Sequence, residues 1–373
     1  MKTEEGLPHM PQANARHLYI PTVPNAPLIS KHVKQNLGIL NLRKNKSLDF
    51  IENSAFDASL IEYDERYQNN QAHSNHFLGH MTAVMELLKA RLPKNSTVVE
   101  VGCGKGDFVE LLNKDGYFNA CGYDATYEGH SDKIFKRYLT DGDNIETDLV
   151  VLRHVLEHIQ RPHDFLKLIK SVFQKGQIYI EVPNWDWIIR NQAFFDITYE
   201  HVNYFSQKSL TCFFENTRTY TGLLFGDQYQ YILSNIESIS ENFSDKYNND
   251  DWFNIDFYTL FPNIKNSVTK IINRLKPTSS IYIWGAATKG CMFLVCCKDL
   301  NLLIDKVRYA IDINPDKQNK FLPYSLIPIK SKEEFFKAVK SEDLLLISNP
   351  IYEDEILQDL HLNNVERLEI ICL

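Results

Sequence analysis

The stretch Val98-Val-Glu-Val-Gly-Cys-Gly-Lys-Gly106-Asp-Phe108 constrains this chain more than any other. An apolar strand stops at three glycines spaced two apart, and a helix opens directly behind them. Gly102, Gly104 and Gly106 let the backbone turn sharply and approach a ligand with no Cβ in the way. A strand that ends in such a turn and feeds a helix is the usual opening of a parallel α/β sheet.

The alternation continues downstream. Strands are predicted at 97–101, 120–123, 147–152 and 177–182, with helices at 106–114 and 163–173. Strands separated by helices imply a parallel sheet covered on both faces. A helix near 207–217 and a strand-like stretch at 219–234 follow, and the polar run 238–252 reads as a linker. Helix 257–275 then leads to a second start: strand 280–284, the turn Gly-Ala-Ala-Thr-Lys-Gly290 and an apolar helix at 289–297. Further strands are expected at 307–311 and 343–347. Upstream, 57–92 has helical spacing, with Met81, Val84, Leu87 and Leu88 on one face. The expected organisation is an arm or lid over 1–55, an α/β domain over 56–237, a linker and helix over 238–279, and a smaller α/β domain over 280–373.

Composition removes several classes. The net charge of −8 leaves no basic face for a nucleic acid. No run approaches the roughly 18 apolar residues of a membrane helix, and the acidic start MKTEEGLPHM is not a secretory signal. The seven cysteines are odd in number and form no CxxC pair, which suits free thiols in a reducing cytoplasm better than disulfides or zinc.

The glycine turn alone also suits dinucleotide-binding folds. Two carboxylates sharpen it. Glu100 ends the strand, where it can reach the cationic methionine moiety of S-adenosylmethionine. Asp124 ends the next strand, about 20 residues on, where a carboxylate accepts both ribose hydroxyls. Glu-x-Gly-x-Gly-x-Gly favours S-adenosylmethionine over a dinucleotide. Asp141 or Asp143 can approach the adenine amine or can simply sit in a solvated loop.

At this point the sequence resembles the class I methyltransferases, and more closely the C-methyltransferases of deoxysugar biosynthesis. The resemblance spans about 55–373 and rests on FDASLIEYDERYQNN, VVEVGCGKGDF, HVLEHIQRPHDFL, EVPN, FFDITYEHVNYFS and IYIWGAATKG…AIDINPDKQNKFLPYSLIPI. It implies a Rossmann-like methyltransferase domain followed by a second, smaller Rossmann-like domain. It implies methyl transfer to a carbon of a nucleotide-activated keto sugar, with His201 as base and Tyr199, Glu200, His158 and Tyr67 around the substrate. Two departures stand out. The family's N-terminal zinc module is built on four cysteines, and no cysteine precedes Cys103 here, so no metal is expected. The family's Tyr-x-Glu-His reads Thr198-Tyr199-Glu200-His201, with the tyrosine displaced by one.

The chemistry fits those residues. Methylating carbon needs a base beside a ketone and a stabilised oxyanion, and imidazole titrates near working pH. His201 serves equally as base for a hydroxyl, so sugar O-methylation is the alternative, and a cofactor-binding protein without turnover is another. Lys289 and the turn before it can hold the substrate's phosphates or form a plain structural turn. Trp185 either walls the pocket or packs the core, and His154 and His163 read as structural. Asn349-Pro-Ile-Tyr352 has part of the Asn-Pro-Pro-Tyr loop of amino-methyltransferases, but it lies in the second unit and lacks the second proline.

Overall fold

The computed structural model describes residues 18–62, 67, 74–215, 219–243, 247, 251–301, 304–365 and 367–373. Residues 18–53 form four short strands: β1 (Leu18–Pro21), β2 (Leu37–Leu40), β3 (Leu42–Asn45) and β4 (Phe50–Asn53). β1 and β2 pair with each other, and Ile20, Leu40, Leu42 and Ile51 are buried.

Between Asp57 and Ile61 the chain makes only a short 3-10 turn, Ala58–Leu60. The helix expected from 57 therefore starts later in the described residues, as α1 (Asn75–Lys89); residues 63–66 and 68–73 of that expectation lie outside them. Ser74 fixes the start, its hydroxyl accepting from the His76 and Phe77 N–H groups.

The main sheet has the order β11-β12-β9-β8-β5-β6-β7. β5 (Thr97–Val101), β6 (Asn119–Tyr123), β7 (Ile134–Phe135), β8 (Leu149–Arg153) and β9 (Gln177–Pro183) run parallel. α2 (Asp107–Asp115) and α3 (Pro162–Phe173) connect them, and their buried faces are Phe108, Val109, Leu112 and Leu166, Ile169, Val172. α4 (Trp185–Arg190) follows β9. The stretch read as one strand at 219–234 is a hairpin, β11 (Tyr220–Leu224) and β12 (Tyr229–Asn235), that adds the antiparallel edge. The order reverses between β5 and β8, and in open α/β sheets ligands bind at the carboxyl ends of strands at such a reversal.

A third sheet, β10-β4-β3-β13, ties three distant segments together through β10 (Asn203–Phe205) and β13 (Trp252–Asn254). β10 directly follows His201, so the N-terminal strands brace the segment bearing that histidine. The polar stretch read as a linker is anchored too: Phe243, Tyr247 and Trp252 pack around Phe50.

The C-terminal sheet is wholly parallel, in the order β16-β15-β14-β17-β18: β14 (Ile281–Trp284), β15 (Val307–Ile311), β16 (Ile329–Lys330), β17 (Leu344–Ile347) and β18 (Glu369–Cys372). It too reverses, between β14 and β17. Helix Thr288–Asp299 is buried along Gly290–Cys297, as suits a helix apolar all round. One face meets its own sheet, and Phe293 also meets Phe194 of the first unit. No helix among the described residues is long and apolar enough to cross a membrane.

Candidate active site

The glycine turn sits where β5 ends. Gly102 and Gly106 have φ of +74° and +85°, and a Cβ on either would strike Val155 or Ile134. Both need glycine on two counts. Gly104 (φ +56°) faces open space, as a backbone awaiting a ligand does. Asp124 reaches back from the end of β6: Oδ2 accepts the Gly104 N–H at 2.8 Å, and Oδ1 accepts from the Thr126 backbone and hydroxyl.

Glu100 is 3% exposed, and among the described residues its Oε2 has no hydrogen-bond donor. Burial pushes its carboxyl up to about 8, helped by Glu181, Asp107 and Asp124, while Arg153 opposes. A buried acid with an unmatched oxygen beside an open glycine turn fits the ammonium group of a methionine moiety. Asp141 lies on an exposed turn, Thr140–Asp143, and its neighbour Asp143 takes both Arg137 nitrogens.

Behind Glu100 runs a buried charge network that sequence reasoning missed. Arg153 stands 3.9 Å from Glu100 and 3.6 Å from Glu181. Glu181 is fully buried and accepts from Tyr179 Oη (2.7 Å) and His80 (2.9 Å), with His154 Nε2 3.2 Å away. Burial alone would raise this carboxyl, but Arg153, His154 and His80 hold it well below the usual range. His154 ends β8 in a left-handed conformation, φ +54°, a strained geometry for a histidine. Burial would depress its imidazole, yet Glu157 and Glu181 outweigh that and lift it to about 9. His154 is therefore charged, and its Nδ1 stands 3.5 Å from Glu157 Oε1. His163, by contrast, is buried against Ser240 and Phe243, a structural role.

A cavity of about 250 Å³ opens where the carboxyl ends of the two parallel sheets meet. Tyr67, His154, Glu157, His158, Glu200 and His201 line it from the first unit. Gly285, Lys289, Asp312, Lys317, Ser348 and Asn349 line it from the second, and Asn25 from the N-terminal strands. The structure thus brings together four of the five residues expected around the substrate. His158 Nδ1–H donates to the Glu200 carbonyl at 3.0 Å, leaving Nε2 as the acceptor nitrogen. The His158 and His201 rings meet edge to face, centroids 4.9 Å apart. Burial, then His158, pull the His201 imidazole down to about 3, so it is neutral at working pH.

Two expectations are corrected. Tyr199 is fully buried and turns away from the cavity; its Oη accepts the Asp57 N–H at 2.7 Å, and its ring lies on Gly38 and Phe56. The chain bends at Tyr199 and Glu200, and the bend seats the Tyr199 ring in the core while Glu200 and His201 reach the cavity. Trp185 is 5% exposed and packs on Tyr204, while Ile188, one helical turn on, provides the cavity wall.

Lys289 does line the cavity, ion-paired with Asp196 and lying over Trp187 and Phe195. The turn before it is already engaged: the Ala286 N–H donates to Asp312 and the Thr288 N–H to Asn25. Asn349 caps a 3-10 turn and accepts from Gln228, so the Asn-Pro-Ile-Tyr stretch does structural work at the cavity edge.

Two clusters have metal-ligand spacing among the described residues: His80, His154 and Glu181, and Glu157, His158 and His201. In the first, Arg153 and protonated His154 already balance the carboxylate. In the second, Glu157 faces that same protonated histidine.

A parallel sheet reversing beside Glu-x-Gly-x-Gly-x-Gly, with a carboxylate on the second strand end, defines a class I methyltransferase, and S-adenosylmethionine is its methyl donor. The family models agree: a methyltransferase domain matches residues 58–217 and a C-methyltransferase C-terminal domain matches 238–369. The chain thus carries a methyltransferase domain followed by a C-methyltransferase C-terminal domain. It is similar to the C-methyltransferase NovU of Streptomyces niveus, 25% identical over 333 residues, covering 79% of this chain and 76% of that protein.

Looser likenesses to solved structures cover less than half of the chain. One is a chain from the complex between the Haloferax volcanii Trm112 methyltransferase activator and the putative methyltransferase (TM-score 0.37, 13% identity, 47% of this chain and 98% of that one). Another is a SAM-dependent methyltransferase from Aquifex aeolicus (TM-score 0.33, 14% identity, 44% and 95%).

Proposed function

We propose that the chain methylates a carbon of a nucleotide-activated keto sugar. The observation that carries this reading is the shared cavity, with two neutral histidines on one wall and the strand ends of a second nucleotide-type fold on the other. His201 takes the proton beside the ketone, and the electron pair moves into the enolate. His158 and Tyr67 face the developing oxyanion, and Glu200 orients a sugar hydroxyl. The enolate carbon would then be the nucleophile for an electrophilic methyl. When bound, S-adenosylmethionine supplies only that electrophilic methyl; Glu100, Asp124 and the glycine turn hold it. In the second unit, Asp312, at the end of β15, stands where such folds accept ribose hydroxyls, with Lys289 and Lys317 as the cations for a diphosphate.

The test is mass spectrometry of the protein with S-adenosylmethionine and paired nucleotide sugars, with and without a 4-keto group, in heavy water. One methyl gained on keto forms alone, with deuterium exchange lost in His201→Asn, is expected. Methylation of sugars lacking a ketone would move the protein to oxygen methylation.

A further inference from the structure

Glu157 is the group the foregoing mechanism leaves unused. It sits in the 3-10 turn Leu156–His158, 1% exposed, and its side chain lines the cavity. Oε1 has the long His154 contact, and among the described residues neither oxygen accepts a close hydrogen bond. A carboxylate oxygen of Glu157, a nitrogen of His158 and a nitrogen of His201 all lie within 4.8 Å of one another. His201 Nδ1 is buried and likewise has no partner among the described residues. A buried carboxylate with unused lone pairs is unfavourable until a cation or donor meets it.

We infer that Glu157 is a positioning residue for the base: it receives the proton-bearing face of His201 when that imidazole takes the substrate proton. The inference rests on the enolate reading above. The step balances simply. The carbon–hydrogen bond breaks, its pair enters the enolate, the proton forms an N–H bond on His201, and the imidazolium faces the Glu157 carboxylate. Without substrate, His201 is a poor base because burial and His158 both oppose its charge. Glu157 works against this, its carboxylate favouring the charged ring. It stays ionised despite burial because protonated His154 favours its anion. His154 keeps this charge in place; clamped between Glu157 and Glu181 in its left-handed conformation, it also closes the turn's far side with Tyr229. From the second unit, Lys289 faces His201 and adds to the opposition. The arrangement has the logic of a carboxylate holding a histidine base, in which the anion orients the ring and stabilises the imidazolium without taking the proton.

The experiment follows solvent deuterium exchange next to the ketone in Glu157→Gln, with His201→Asn in parallel and S-adenosylmethionine affinity as the check of fold. The expected result is a loss of exchange on the order of 10²-fold, cofactor Kd within about twofold, and the acidic limb of kcat moved to lower pH. The sign follows from charge: without the anion the imidazolium is less stable, so protonation of the free base needs more acid. A merely structural glutamate would leave that limb in place, because glutamine keeps the shape. If Glu157→Gln fails to bind cofactor, Glu157→Asp, which withdraws the carboxylate by one methylene, carries the same test. Wild-type exchange in a folded variant, while His201→Asn loses it, overturns the role of Glu157 alone. Exchange that survives in His201→Asn overturns the enolate reading and this inference with it.

Discussion

Glu100 shows how much one buried oxygen can decide. In the protein without cofactor its carboxyl is pushed up to about 8, so at neutral pH most of it holds a proton. An ammonium group arriving at Oε2 favours the carboxylate, and binding below pH 8 must release that proton. S-adenosylmethionine affinity should therefore rise as pH goes from about 6 to 8 and level off above. Calorimetry in buffers of different ionisation heat would count the released proton. In Glu100→Gln the slope should vanish and affinity fall about tenfold or more; a slope that persists would place the titrating group elsewhere. The places of Glu100, the glycines and Asp124 at strand ends were legible because an apolar strand followed by a glycine turn fixes them. His154 and Glu157 were not: both sit in a generic-looking Leu-Arg-His-Val-Leu-Glu-His run, and only a positive φ and the approach of Glu181 reveal what they hold. Tyr199 misled because its neighbours, Glu200 and His201, are at the site while its own side chain faces the other way.

At the scale of elements, strands and helices with strong apolar runs were readable nearly to the residue. Strand 97–101 was placed as observed, and helix 163–173 begins one residue earlier, at Pro162. The N-terminal strands were not readable. Each is four residues long, and β4 and β3 pair with β10 and β13 from some 150 and 210 residues away, which no local periodicity can announce. Pro262 likewise divides the helix read at 257–275 into Phe257–Leu260 and Ile264–Arg274. The helix after the second glycine turn carries an unusual cap. Its N-cap, Ala287, offers no side-chain acceptor, and Asn25 supplies both groups from the N-terminal strands: Oδ1 to the Thr288 N–H (3.1 Å) and Nδ2 to Thr288 Oγ1 (2.8 Å). Asn25→Ala should cost about 1 kcal/mol of stability, read by chemical unfolding. It should also weaken substrate binding more than cofactor binding, since Asn25 lines the cavity. Equal losses for both ligands would show the cap to be structural only.

Over the whole molecule, the two parallel sheets meet at their carboxyl ends, so a substrate in the cavity touches both units while the cofactor's glycine turn belongs to the first. Lys289→Ala, which also frees Asp196, should therefore raise KM for the nucleotide sugar about tenfold and leave S-adenosylmethionine affinity unchanged; steady-state kinetics with calorimetry would separate the two, and an unchanged KM would remove Lys289 from the phosphate site. The N-terminal strands bear on how the chain matures. Leu28 bridges to Phe321, and the Asn25 cap waits for a partner 263 positions downstream. At about 5–20 residues per second of synthesis, the opening segment spends roughly 13 to 50 s outside the ribosome before its seat exists. The cap and the bridge therefore form late in synthesis, after β3 and β4 already have their partners in β13 and β10, so the second unit is tied to these strands only once its own first helix is made.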